Sequence, residues 1–278
     1  MDIYGEIFTN EYFKKLKTSD NAETKSLLGF HRKDNPYLIE FKKYLRFAKM
    51  QDALTKKRKG DLLAADWAHF VQTKNELLIA FFIKFFLRYD VMFDPPSFQG
   101  KKGDLQIALK NGKKVFIEIT SPYRRFPVNG FIAGDYSGTI RESIKRKYVT
   151  LPKDNRITLI ILGHGLGDTR PYTDAMIKAL YGEIETRIPW KTEGVELDSD
   201  RAYNVFKPNG FFQDSVRNLS AVGIIDFACY FDNQVEYTCE IFHNPYASNP
   251  LSLDVFNKYK SALQYPSIDS SLSKVYSK

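Results

Sequence analysis

The chain has 278 residues, 43% of them hydrophobic and 22 of them Phe, so it can fill a sizeable core and wholesale disorder is excluded. Two cysteines, Cys229 and Cys239, are too few for a disulfide framework or a zinc site and read as buried free thiols. The net charge is +8, and residues 1–60 carry most of it, with 14 Lys and Arg against 8 Asp and Glu. Such a concentration suits a polyanion, because cations on phosphates release counterions, although a well-solvated surface is the plainer reading. No signal-peptide pattern opens the chain, and no apolar run reaches the roughly 18 residues of a membrane helix. A cytoplasmic protein with no membrane partner is expected.

In chain order, residues 1–60 are expected as a basic helical region, 61–260 as the core, and 261–278 as a serine-rich tail that packs weakly. Asp34-Asn35-Pro36 reads as a helix start, a polar cap followed by proline at the first helical position. Leu38, Phe41, Leu45 and Ala48 then form an apolar stripe, while Lys42, Arg46 and Lys49 recur on another face. Thr55-Lys56-Lys57-Arg58-Lys59-Gly60 reads as a basic linker. Together, Lys42, Arg46, Lys49, Lys56, Lys57, Arg58 and Lys59 suggest a phosphate-contacting arm.

Residues 61–89 read as one long helix or two, apolar on nearly every side from Glu76 to Arg88. Gln72, Glu76, Lys84 and Arg88 lie on one i+4 ladder. Glu76 either points into a polar pocket or lies in a first turn favoured by the helix dipole. Asp94-Pro95-Pro96-Ser97 breaks the chain before strand-like runs at 104–109 and 114–120. A loop rich in Gly, Pro and aromatics follows, then a helix over 137–151 and a continuously apolar strand over 157–162, as in a parallel arrangement buried on both faces. A helix over 172–187, a mostly irregular stretch over 189–220 and two antiparallel strands over 223–231 and 234–242 complete the pattern. This order predicts an α/β fold with a three-layer core around a mixed sheet.

The chemistry is read from Glu118, which lies inside an otherwise apolar strand and is costly to bury unpaired. A second carboxylate, Asp104, sits on the preceding strand. Two neighbouring carboxylates repel, and a divalent cation is the usual way to keep both ionised. Parity decides whether they meet. A two-residue Asn111-Gly112 turn would set Asp104 opposite Ile119 and put the two acids on opposite faces. A three-residue Lys110-Asn111-Gly112 loop, closed by Gly112 in the left-handed region, sets Asp104 opposite Glu118. A bulge near Asp104 is the other route. Given the second register, Asp104, Glu118 and a backbone carbonyl such as that of Ile119 make an all-oxygen site suited to magnesium or manganese. Such an ion lowers the pKa of bound water and neutralises charge on a phosphoryl oxygen. In the next helix, Ile140, Ile144, Lys147 and Leu151 share one stripe. Lys147 thus faces the sheet, either to reach the site or to snorkel past the core. Tyr123, Arg124 and Arg125, beside Glu118, could contact a substrate strand.

This succession over about residues 70–165 resembles the PD-(D/E)xK, or restriction-endonuclease-like, nuclease superfamily. The matching positions are Glu76 on a helix, Gly103-Asp104 on the first hairpin strand, Glu118-Ile119-Thr120 on the second, the helix of Lys147 and the strand from Ile157. Gly103 stands where the motif has proline. Thr120 stands where it has lysine, and Lys147 matches the variant in which that lysine has moved to the following helix. The resemblance implies a restriction-endonuclease-like core and metal-dependent hydrolysis of nucleic acid, DNA first. It further implies Mg2+ or Mn2+ on Asp104, Glu118 and the Ile119 carbonyl, with Glu76 assisting and Lys147 positioning water or stabilising the transition state. Members of this type often form a homodimer, so that two sites cut two strands. The alternative within the same fold is a nucleic-acid-binding protein without cleavage. A different alternative reads Gly163-His164-Gly165-Leu166-Gly167 as a phosphate loop, but the spacing is not GxGxxG and Pro171 interrupts the approach to the helix. His164 and His243 read as hydrogen-bonded residues at strand ends.

Overall fold

A computed structural model describes residues 2–19, 21–96, 102–122, 136–163, 173–187, 203–208, 210–212, 214–229 and 235–265. Three short helices, α1 (Ile3–Ile7), α2 (Asn10–Lys17) and α3 (Ala22–Phe30), lead to α4 (Pro36–Met50). Asn35 caps α4 by accepting from the Tyr37 amide, and Pro36 begins it, as the sequence requires. Its stripe of Leu38, Phe41, Leu45 and Ala48 is buried.

The expected basic linker at 55–60 is instead helical. Thr55 caps α5 (Lys56–Leu62), its hydroxyl accepting from the Arg58 amide, and Arg58 and Leu62, one turn apart, both point inward. Then α6 (Trp67–Phe85) begins behind the cap of Asp66. Glu76 therefore lies mid-helix, and its first-turn reading falls.

The main sheet runs β1 (Val91–Phe93), β2 (Leu105–Ala108), β3 (Lys114–Thr120), β4 (Ile157–Leu162), β7 (Ala221–Cys229), β8 (Val235–His243) and β9 (Leu263–Tyr265) in that spatial order. Strands β3, β4 and β7 are parallel, as are β8 and β9, and the remaining pairs are antiparallel. Between them in sequence lie α7 (Ser137–Tyr148), α8 (Thr173–Leu180) and a separate hairpin of β5 (Gly182–Arg187) and β6 (Tyr203–Pro208).

Three expectations are corrected here. The helix over 172–187 stops at Leu180, because Gly182 takes φ +139° and begins the strand β5. Residues 189–220, expected as irregular, contribute β6. The weakly packed tail also begins later than residue 261, since 263–265 add β9 to the sheet edge through Glu240, Ile241 and Phe242.

Period-two alternation sorts the sheet into two faces. Val115, Ile117 and Ile119 of β3 join a core with α4 and α6, whereas Phe116 joins Ile140 and Ile144 of α7 and Met176 of α8. Helices from residues 1–60 share the first core: the Tyr44 and Tyr237 hydroxyls lie 3.0 Å apart, and Tyr237 donates to Glu40 at 3.0 Å. The chain is thus an α/β protein, a seven-stranded mixed sheet flanked by helices, with an N-terminal helical region. Among the described residues no helix is long and apolar enough to cross a membrane.

Gly103 has a reason of its own. A Cβ there would lie 2.1 Å from the tip of the fully buried Phe116 ring, and its amide donates to the Pro95 carbonyl at 2.9 Å, which proline could not do. Gly103→Ala is expected to lower stability by about 1–3 kcal/mol through overpacking, read as a denaturant midpoint shift at constant slope.

Candidate active site

The β2–β3 turn fixes the register. The Gly112 amide donates to the Leu109 carbonyl at 2.9 Å, the Leu109 amide to the Lys113 carbonyl at 2.8 Å, and Gly112 has φ +78°. This is the three-residue loop, and it pairs Leu105 with Ile117 and Ala108 with Lys114. Continued one step, the register sets Asp104 opposite Glu118. The Asp104 carbonyl accepts from Asp94 on the β1 side at 3.2 Å, so its backbone faces away from β3. The two acids therefore stand as a pair without mutual backbone bonds, in which facing side chains approach most closely.

Lys147 closes the cluster. Its Nζ donates to Asp104 Oδ2 at 2.9 Å and to Glu118 Oε2 at 2.8 Å. It reaches them because Ile140 and Ile144, on the same stripe of α7, are buried against the sheet, as is Leu151 just past the helix end, which the sequence pattern places inside the helix. The Ile119 amide donates to Asp104 Oδ2 at 2.7 Å, pinning that carboxylate. The Ile119 carbonyl leaves the same side of the strand and accepts from Gln72 Nε2 at 3.0 Å.

Glu76 stands behind this trio, not within it. It accepts from Gln72 at 3.2 Å and from Arg58 Nε at 3.3 Å. Arg58 also grips Asp94 at 3.0 and 2.8 Å and the Ala53 carbonyl at 3.0 Å. The structure thus brings together Asp104, Glu118 and Lys147, and couples Glu76 to them through Gln72 and the Ile119 carbonyl.

The electrostatics are unbalanced. Burial, then the Asp104 charge, pushes the Glu118 carboxyl above the usual range, and the Lys147 ammonium does not offset them. Glu76 is raised by the same two causes in the same order, against Arg58. Burial alone would lower the Lys147 pKa, but Asp104 and Glu118 outweigh it and hold the amine above the ordinary lysine range. The glutamate rises through burial first and the neighbouring carboxylate second, whereas the lysine rises because two carboxylates face one ammonium and outweigh its burial. Counting Glu76, Asp94, Asp104 and Glu118 against Arg58 and Lys147, the network carries two excess negative charges when fully ionised. One divalent cation would balance it.

The residues fit magnesium or manganese in a particular way. Among the described residues no three His, Cys, Asp or Glu side chains converge as a metal cage. Magnesium is commonly held by one or two carboxylates with water and substrate phosphate completing its shell, and Asp104, Glu118 and the Ile119 carbonyl supply that partial set.

These groups open into a cleft of about 740 Å³, whose floor is Asp104, Glu118 and Lys147 and whose rim carries Lys57, Lys102 and Arg146 from three different segments. Of the basic residues singled out in the sequence, Lys57 lies on this rim. Lys56 and Lys59 are exposed beside it on α5, while Arg46 is exposed on α4. Lys42 lies 4.8 Å over the Tyr4 ring and Lys49 pairs with Glu6 at 3.0 Å. Arg58 is corrected: its side chain is 6% exposed and committed to two carboxylates, so it is not a surface phosphate contact. Tyr123, Arg124 and Arg125, and His164 to Gly167 of the alternative phosphate loop, lie outside the described residues. Gly163 is described, and a Cβ there would meet Asn75 at 2.5 Å, which gives that glycine a packing role. His243 Nε2 donates to Gln264 Oε1 at 3.0 Å. Cys229 and Cys239 are free thiols, the first half-buried and the second buried.

Gln72, Lys102 and Arg146 carry no role that sequence alone assigns. Gln72 does leave a signal, a polar residue one turn before Glu76 on a buried helix. Lys102 and Arg146 leave none beyond their charge. Comparisons with family models, with curated proteins and with solved structures returned no match.

Proposed function

We propose that this protein is a divalent-metal-dependent nuclease that hydrolyses phosphodiester bonds, with DNA the first substrate to try. The observation that carries the reading is the convergence of Asp104 and Glu118 on the amine of Lys147 at 2.9 and 2.8 Å. The basic rim of Lys57, Lys102 and Arg146 around an acidic floor supports it, because a polyanion is drawn to the rim while the floor repels it unless a cation intervenes. In this reading Asp104, Glu118 and the Ile119 carbonyl hold Mg2+ or Mn2+, which when bound supplies an acidified water and charge neutralisation at the phosphoryl oxygen. Lys147 donates hydrogen bonds to the attacking water or to a non-bridging phosphate oxygen. Gln72 keeps the Ile119 carbonyl and Glu76 oriented toward the cleft. Lys57, Lys102 and Arg146 hold flanking phosphates. Two copies acting together would serve a double-stranded substrate, which light scattering on the DNA complex would reveal.

The test is cleavage of plasmid and single-stranded substrates with manganese, with magnesium and with chelator. Cleavage that requires the metal is expected. Salt-sensitive binding without cleavage under any condition would favour the alternative, a binding protein of the same architecture. Replacing Lys57, Lys102 and Arg146 together by Ala is expected to weaken binding across all sequences. It should also flatten the dependence of log affinity on log salt by about 0.7–0.9 for each phosphate that the variant no longer neutralises, measured by fluorescence anisotropy. An unchanged slope would remove the rim from the interface.

A further inference from the structure

Resting on the nuclease reading, we propose that Lys147 is the resident counter-ion of the site and leaves it when a divalent cation enters, so that loading exchanges an ammonium for a metal and frees the lysine for substrate. One nitrogen, Lys147 Nζ, lies within hydrogen-bond distance of both carboxylates. That is the place an ion shared by Asp104 and Glu118 must occupy. The three charged groups are not equally free to yield. Glu118 stands on a central strand with its side chain 5% exposed, and Asp104 is pinned by the Ile119 amide at 2.7 Å. Lys147 sits in the last turn of α7 at the end of a four-carbon stem, its side chain 25% exposed to the cleft. The lysine is the part that can move.

The exchange has a consequence for substrate. Once away from the two acids, the ammonium keeps its charge in a cleft whose remaining anion is the incoming phosphodiester. Metal and nucleic acid should therefore bind with positive coupling, since each removes a competitor of the other. A lysine that merely braced the two carboxylates would stay on them with or without metal.

The experiment is reductive methylation of the full chain with formaldehyde and dimethylamine-borane, with and without saturating Mn2+, read by peptide mass spectrometry. Lys147 is expected to label several-fold faster with Mn2+. Lys145, exposed and paired with Glu142 at 3.1 Å, is the internal control and should not change. In parallel, calorimetric titration of Mn2+ into Lys147→Gln is expected to show affinity higher than wild type by about tenfold. Manganese that binds wild type without altering Lys147 labelling, and binds Lys147→Gln no more tightly, overturns the exchange while leaving the metal site standing. Absence of Mn2+ binding to either protein overturns the nuclease reading and the exchange with it.

Discussion

On the nuclease reading, Glu118→Gln is expected to reduce hydrolysis by about 10³-fold while leaving the metal-free protein as stable as wild type or more so. The two effects share one cause. Glu118 is nearly inaccessible, and burial together with the Asp104 charge raises its pKa, so the ionised form is held at a cost. Glutamine keeps the shape and removes the charge. Lys147 retains Asp104 as its partner, so the substitution does not strand a buried cation. The pH dependence follows with a definite sign. A carboxyl whose folded pKa lies above its unfolded value binds its proton more tightly in the native state, so its contribution to stability is greatest in acid. That contribution is lost as pH rises through the folded pKa. Wild type without metal should therefore lose stability relative to Glu118→Gln as pH climbs from the ordinary glutamate range toward neutrality. Saturating Mn2+ should restore wild type and not the variant. Thermal melts at a series of pH values, with and without Mn2+, measure this directly. Full hydrolytic activity in Glu118→Gln would remove this cleft from the chemistry. A melting temperature that falls in the variant at neutral pH would mean that the carboxylate supports the fold instead of burdening it.

How much of this site is legible in sequence depends on whether local pattern or distant partner decides. Register is half readable: period two is strict, but the sequence suits a two-residue Asn111-Gly112 turn as well as a three-residue loop, and only the backbone, with Gly112 at φ +78°, decides between them. Lys147 is readable because its neighbours at helical spacing are all apolar, which fixes the direction of the whole stripe. The boundary between α8 and β5 is harder, since Gly182, at φ +139°, breaks what otherwise scans as an amphipathic helix. Gln72 illustrates a further limit. Its face is predictable, but its hydrogen bond to the Ile119 carbonyl joins residues 47 positions apart, and nothing local specifies that partner. Arg58 misleads for a related reason. A run of four basic residues looks like a solvated linker, although Thr55 as a cap and Leu62 one turn beyond Arg58 together mark a helix with one inward face.

Arg58→Ala should therefore be among the most damaging single substitutions in the chain, costing about 3–5 kcal/mol of stability. Its guanidinium makes two bonds to Asp94, one to Glu76 and one to the Ala53 carbonyl, and lies 5.0 Å from the Phe93 ring. Truncation removes all of these and leaves two carboxylates facing each other across the gap, one of them, Glu76, largely withdrawn from water. For a chain of this size the loss corresponds to a fall in melting temperature on the order of 10 °C. Because the damage is stranded charge more than missing packing, Glu76→Gln introduced into Arg58→Ala should recover part of the stability, a non-additive result that a double-mutant cycle reads as coupling. Had Arg58 been a surface contact to phosphate, the pattern would invert: stability would hold and the salt dependence of nucleic-acid binding would flatten. Lys57, its exposed neighbour on the cleft rim, provides the comparison within the same helix turn. On the nuclease reading, Lys57→Ala should leave the melting temperature unchanged and weaken nucleic-acid binding, whereas Arg58→Ala should first loosen the contact between α5, α6 and the Asp94 turn, and reach the proposed site only through Glu76.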